Sequence, residues 1–240
     1  MLRSLQSEIL DTLPAEDARA VHSRRDIRRI NAWMGNAGIL AGMLRRQNKD
    51  IRACNHIVEI GAGDGTLLLD VLKRCGARRL DHCGKVTLID QKNVVTTETQ
   101  AAYAEFGWNC EVICADVFDW LDDGAMSRAD VVMANLFLHH FAEETLARLL
   151  AALAQRAHCV VACEPRRSRL AVAGSRMLWL IGCNDVTRHD AVVSVRAGFR
   201  GRELTELWPN RQGWKITEQA RGLFSHAFCA QRLNRLEYLK

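Results

Sequence analysis

His56-Ile57-Val58-Glu59-Ile60-Gly61-Ala62-Gly63-Asp64-Gly65-Thr66 decides the fold of this chain. Ile57 to Ile60 is a short apolar run of strand type, and glycines at 61, 63 and 65 come directly after it. A buried strand therefore ends in a turn that glycine enters without steric cost. Thr66 to Lys73, rich in leucine, reads as the next helix. Strand, glycine loop and helix in that order make a cradle. The loop backbone can approach a ligand closely, and the first turn of the helix presents unpaired N–H groups.

The spacing narrows the ligand. A dinucleotide loop is G-x-G-x-x-G with its last glycine inside the helix; here the run is G-x-G-x-G, preceded by Glu59 and carrying Asp64. An acid in such a loop suits a cationic ligand better than a pyrophosphate. The run resembles the first motif of class I S-adenosylmethionine (SAM)-dependent methyltransferases. That resemblance implies that Gly61, Ala62 and Gly63 approach the amino-acid part of SAM, and that Asp64, with Glu59 beside it, anchors the ammonium group. An ordinary strand-to-helix turn has the same outline, so the strands beyond the loop must decide between the two.

Lys85 to Asp90 reads as a second strand ending in an acid. Asp90 lies 25 residues after Gly65, close to the interval at which nucleotide-binding folds set a carboxylate on the ribose hydroxyls. The resemblance gives Asp90 that role for SAM, with Gln91 next to it, and capping of the following helix is compatible with it. Glu111 to Ala115 is a third strand, and Asp116-Val117 after it is similar to the family's adenine motif: the Asp accepts from the exocyclic amine and the apolar neighbour packs on the ring. Ala129 to Asn135 is a fourth strand, and in the family its end borders the reactive methyl, which points to Asn135 and Leu136. Leu138-His139-His140-Phe141 is similar to the L-H-H segment of small-molecule methyltransferases, the ubiquinone/menaquinone C-methyltransferase group among them. An imidazole titrates near neutrality, so His139 and His140 are candidates for a general base or for orienting the turn they occupy.

The acceptor side is less explicit. Arg24 to Asn36 is dense in Arg, Asn and Trp. It reads either as a solvated basic helix with Ile27, Ile30 and Met34 turned inward or as a lid bringing Arg28, Asn31 and Trp33 to substrate. Arg166 and Arg167 come after a fifth strand, Cys159 to Glu164, at the edge where open α/β sheets bind ligands. His189-Asp190, in an insertion between strands five and six, offers a base with its orienting acid, and Arg196 shares that segment. Asp190 as the cap of a helix over 191–197 is the competing reading. The His pair, the Arg pair and His189-Asp190 are expected to converge over the sulfonium, with Trp33, Met34 and Trp179 as apolar cover.

The whole chain sets outer bounds. Its 240 residues, 48% hydrophobic and 25% charged, are those of a folded domain rather than a disordered one. Nine cysteines include no C-x-x-C; Cys110, Cys114, Cys159 and Cys163 read as reduced core residues, and no metal is expected. A net charge of +5 without a Lys/Arg block, and only 6% aromatics, argue against a nucleic-acid surface. No apolar run reaches about 20 residues, and Arg3 and Glu8 interrupt the opening segment. Neither a membrane nor a signal peptide is expected, and the location expected is cytoplasmic.

These readings predict an α/β fold: a doubly wound, seven-stranded, mostly parallel sheet whose last pair, Trp214–Glu218 with Phe224–Ala230, is antiparallel. An N-terminal helical cap (1–50) is expected ahead of a SAM-binding domain (51–240) with a substrate insertion near 168–205. The activity implied by the resemblance is metal-independent methyl transfer from SAM to a small acidic or phenolic metabolite, by a monomer or homodimer. An RNA or protein methyltransferase, a SAM-dependent enzyme of different chemistry and a catalytically silent SAM-fold binding protein are the alternatives.

Overall fold

A computed structural model describes residues 1–47, 50–80, 84–122 and 128–233. The strands are β1 (His56–Ile60), β2 (Gly84–Asp90), β3 (Trp108–Cys114), β4 (Val131–Asn135), β5 (Cys159–Pro165), β6 (Trp214–Arg221) and β7 (Ser225–Arg232). They form one seven-stranded sheet in the order β3-β2-β1-β4-β5-β7-β6. β1 to β5 run parallel, and β7 is antiparallel to both neighbours. Every residue of β4 and β5 is buried, as central strands covered on both faces must be. β3, at the edge, is half-exposed; Cys110 is partly buried and Cys114 exposed, so neither is the core residue expected, whereas Cys159 and Cys163 are.

Among the described residues, ten α-helices surround the sheet: α1 (Ile9–Thr12), α2 (Ala18–Met34), α3 (Asn36–Arg46), α4 (Thr66–Arg74), α5 (Thr97–Glu105), α6 (Val117–Asp122), α7 (Glu143–Arg156), α8 (Arg169–Arg176), α9 (Asp185–Ala197) and α10 (Glu203–Leu207). Side-chain alternation divides the core into two. Ile57, Val131 and Met133 pack with Leu40, Leu44, Leu68 and Leu72 on one face; Val58, Ile60 and Val132 pack with Trp120, Leu146, Leu149 and Leu153 on the other. Because β1 to β5 are parallel, all five end on one edge of the sheet.

Gly35, at φ 70°, ends α2 and turns the chain into α3. α3 then buries Leu40, Ala41 and Leu44 against α4 and the sheet, so it belongs to the main core. α1 is one short turn, and Leu5 before it is exposed. The insertion is helical: α8, a 3-10 turn at Leu178–Ile181, α9 and α10. α9 starts at Asp185 with Asn184 as its cap, six residues before the helix start expected, which puts Asp190 mid-helix. No helix among the described residues is long and apolar enough to cross a membrane.

Candidate active site at the C-terminal edge of the sheet

The loop after β1 sets Gly61, Gly63 and Gly65 in the left-handed region, at φ 64°, 54° and 72°. Their surroundings differ. A Cβ on Gly61 would sit 2.3 Å from the Phe137 ring and one on Gly65 2.5 Å from Leu88, whereas Gly63 faces open space within 4 Å. The middle of the loop is thus bare backbone, free for close approach by a ligand. The Ala62 N–H donates to Ile89 O, and the Tyr103 hydroxyl donates to Gly65 O, which pin the loop to β2 and α5.

Three carboxylates surround this loop. Glu59 is buried, and its Oε2 has no hydrogen-bond partner. Burial, helped by the charges of Asp64 and Asp90 and opposed by a hydrogen bond from Leu68, raises its pKa well above the usual carboxylate range. Asp64 accepts from the N–H and hydroxyl of Thr66 at the start of α4 and pairs with Arg28 at 2.7 Å. Asp90 closes β2, accepting from Gly63 N–H at 2.8 Å and Lys92 N–H at 2.9 Å. One strand further out, Asp116 accepts from Phe118 N–H and, at 2.7 Å, from the Gln91 amide; Val117 is buried at the start of α6. Carboxylates spaced along three neighbouring strand ends suit a cation carrying several hydroxyl or amino donors. The orphaned Glu59 oxygen, the bare Gly63 and this donor set fit SAM. Beside the loop, a cleft of about 380 Å³ opens between α2 and residues 93–99, with Arg24, Arg28 and Asp64 in its wall.

β4 ends in a polar cluster. Asn36, fully buried, donates to Asn31 at 2.8 Å and to Asn135 at 3.1 Å, and accepts from Ser225. Asn31 and Asn135 therefore meet through Asn36, which heads α3. Leu136 comes next with φ 51°, a strained setting for a side chain with a Cβ and a common one at functional sites.

His139 is not available as a base. Its Nδ1 lies 2.8 Å from Glu164 and its Nε2 3.2 Å from Glu8. Burial alone lowers its pKa, but the hydrogen bonds and charges of the two carboxylates outweigh that and push it up to about 9. A cation held between two anions has no proton vacancy at neutral pH. Glu164 also accepts from the N–H groups of Phe137 and Leu138, so this pair builds the turn after β4. His140, partly exposed, keeps its Nδ1 3.3 Å from Asp11 and its Nε2 4.0 Å from Glu8. Glu8, His139 and His140 place one metal-capable atom each within 4.8 Å of one another; their contacts with Glu164, Asp11 and Ser194 make them an ion-pair net.

Residues 1–13, given no role by sequence reasoning, run as a strap across the strand ends. Met1 O accepts from Arg167 beyond β5. Arg3 donates to Phe141 O and His139 O beyond β4. Glu8 joins His139, His140 and Ser194. Leu10 O and Leu13 O both accept from Lys92 Nζ at 2.7 Å, just past β2. The remaining expected substrate groups are largely committed to this strap or its supports. Arg167 is buried and donates to Gly198 O and Glu203, so it is a strut rather than a wall of the pocket. Asp190 does contact His189, at 2.9 Å, but its two oxygens accept from Ile9 N–H and Leu10 N–H; it caps α1. Arg196 sits in the last turn of α9, where its carbonyl accepts from Ser4. Arg166 is partly exposed and donates to Gly222 O. Trp33 is 72% exposed and packs on Phe224 at 5.5 Å between ring centroids.

Residues 57–159 match a family described as a methyltransferase domain. Among solved structures, the chain is similar to an O-methyltransferase family protein from Burkholderia thailandensis, at 16% identity and TM-score 0.63 over 92% of this chain. It spans 62% of that protein's length. The plantazolicin methyltransferase BpumL, solved with S-adenosylhomocysteine (SAH), aligns at 14% identity and TM-score 0.62, covering 91% of this chain and 92% of that one. Magnesium protoporphyrin IX methyltransferase (ChlM) from Synechocystis PCC 6803, with bound SAH, aligns at 14% identity and TM-score 0.55, covering 87% and 86%. No curated protein matches the chain in sequence. The glycine loop and strands β2 to β4 lie within the residues that match the methyltransferase domain, and the aligned structures share the fold of this chain.

Proposed function

We propose that this enzyme methylates a small-molecule acceptor, an acidic or phenolic metabolite, and that the C-terminal edge of β1 to β5 is its active site. SAM supplies an electrophilic methyl group on a sulfonium. In this reading Asp64 and the buried Glu59 hold the ammonium end against Gly61, Ala62 and Gly63. Asp90 takes the ribose hydroxyls with Gln91 beside it, and Asp116 with Val117 takes the adenine. Asn135 and Leu136 border the reacting centre, where the Asn31–Asn36–Asn135 cluster orients an oxygen of the acceptor. The observation that carries the reading is the bare, positive-φ Gly63 ringed by three carboxylates, one of them with an unpartnered buried oxygen.

Alignment of acceptor and donor provides most of the rate advantage, and a proton leaves the acceptor when it is an alcohol, phenol or carboxylic acid. His140 is the imidazole of the pair that still reaches solvent, with Asp11 against its Nδ1, and it is our candidate base. His189 and Arg166 remain candidates for the acceptor wall, on the α9 and β5 sides. The basic groups at this edge, Arg28 and Arg166, favour an anionic acceptor, although Arg167 is withdrawn from that wall by Glu203 and the Met1 and Gly198 carbonyls. Calorimetry with SAM and SAH tests the donor half: micromolar binding, roughly −8 kcal/mol, is expected, and binding of NAD alone would sink it. SAH formation measured against a panel of phenols, carboxylic acids, RNA and peptides tests the acceptor, with turnover expected on the first two classes only.

A further inference from the structure

Most large apolar side chains left exposed among the described residues gather on one face. Trp33 (72%), Leu170 (54%), Trp179 (59%), Leu180 (55%), Ile181 (48%) and Leu223 (56%) come from four separate elements. Direct contacts tie those elements together. Trp33 at the end of α2 packs on Phe224 in the β6–β7 turn. Phe224 covers Gly174 of α8 so closely that a Cβ there would meet its ring at 2.7 Å. Arg29 of α2 donates to Ile181 O, in the 3-10 turn after α8, at 2.8 Å. A monomer seldom leaves so many contiguous apolar groups in water without a use for them.

The charge around this face is mainly basic. Residues 27–47, 165–183 and 219–232 contain no Asp or Glu; Arg28 and Arg29 pair with Asp64 and Asp26, while Arg166, Arg169, Arg176 and Arg221 come from the other two segments. Arg29 is exposed on α2, and Arg169 and Arg176 are exposed on α8. Two tryptophans and branched aliphatics protruding around a short turn, with Arg169 and Arg176 exposed beside it, match the chemistry of an anionic bilayer surface. The apolar tips enter the headgroup region while the guanidinium groups remain with the phosphates. The protruding 3-10 turn also favours this occupant over a ligand tail, which needs a groove to bury it.

We infer that this face docks on the surface of an anionic lipid bilayer. It adjoins the active site: Asn31 lies two residues before Trp33, and Ser225 one residue after Phe224 bonds Asn36. An acceptor dissolved in the bilayer would then meet the enzyme at the open side of the Asn cluster. This goes against the sequence-based expectation that no membrane is involved. No helix is required to span, since the contact is interfacial. Docking is independent of methyl transfer and is measured without SAM.

Flotation of the full chain with phosphatidylcholine vesicles, with and without about 30% phosphatidylglycerol, tests it. The chain is expected to float with the anionic vesicles, to float far less with the neutral ones, and to be released by high salt. Trp179→Glu and Leu180→Glu, both on an exposed turn, should each lower the bound fraction about tenfold. Leu80→Glu, 91% exposed and on another part of the surface, should bind as wild type. Melting temperatures confirm that the variants fold. Wild-type protein that floats with neither vesicle, or equal flotation of all variants, overturns the proposal. So does light scattering that finds a dimer broken by Trp179→Glu without any vesicle binding, because the face would then meet a second copy. SAM calorimetry on the same samples bears on the methyltransferase site alone and leaves the vesicle result standing.

Discussion

The two halves of the catalytic edge are assembled by different means. Over β1, β2 and β3 the contacts are short-range in structure: Asp64 caps its own helix, Asp90 binds the loop one strand over, and Asp116 binds Gln91 next door. Over β4 and β5 they cross the chain. Glu8 reaches His139 over a sequence separation of 131, Arg3 reaches Phe141 over 138, and Arg167 reaches Met1 over 166. Backbone geometry makes the first half, so a few residue types in a row suffice. Long-range contacts of charged side chains, with each other and with backbone carbonyls, make the second, and no short motif records them. The first half offers acceptors outward to a ligand; the second spends its charges on itself.

The contrast can be broken most forcefully at Glu164. Glu164→Ala leaves the His139 cation buried without its main counter-ion and the Phe137 and Leu138 N–H groups unpaired. A loss of about 3–5 kcal/mol in urea unfolding is expected, and a loss under about 1 kcal/mol would show that the turn after β4 does not depend on this pair. On the donor side Asp90→Ala removes a ligand group from a loop that otherwise stands. SAM affinity should fall about tenfold or more, in line with about 1–3 kcal/mol for such an acceptor, while the melting temperature moves little. Unchanged affinity would take the ribose from Asp90.

The pH dependence of folding separates the two halves further. His139, raised from 6.5 to about 9, contributes stability that is fully present below 6.5 and fades as pH rises through about 9. Glu8 runs the other way. Burial pushes its pKa up, but the hydrogen bond and charge of His139, with His140 and Ser194, pull it below the ordinary 4.5, so its contribution holds above 4.5 and fades in acid. Melting curves recorded from about pH 6 to about pH 10 should decline on the alkaline side, and His139→Gln should flatten that limb. A wild-type curve without the decline would mean that His139 is not held as a cation. Least affected should be Arg28→Ala, which breaks a half-exposed pair with Asp64; under about 1 kcal/mol in stability or SAM binding is expected.

Legibility in the sequence tracks the same division. Glycines at 61, 63 and 65 and the acids at 90 and 116 announced a sheet and a ligand edge because each acts within a few residues of its own strand. The seven-stranded sheet with an antiparallel last strand was implied by the resemblance that these residues carry. Asp190 was readable as a capping acid, but the helix it caps, α1, lies 180 residues away, and nothing near Asp190 points there. Glu8 and Lys92 are the fasteners of the strap, and their partners lie 131 and about 80 residues away. Arg167, placed rightly at a strand end, proved buried because Glu203 and two carbonyls claim it. Local chemistry predicts a residue's address better than its partner.

The strap over the strand ends also bears on timing. Were SAM held at the proposed site beneath residues 1–13, exchange of SAH for SAM would require the Glu8, Arg3 and Lys92 fastenings to release together. Segment motions of that kind run on microseconds to milliseconds, slower than diffusion from an open cleft. The opening segment would then act as an escapement, letting one cofactor out per cycle. Pre-steady-state mixing should detect it as a burst of one SAH per enzyme before the slower steady rate.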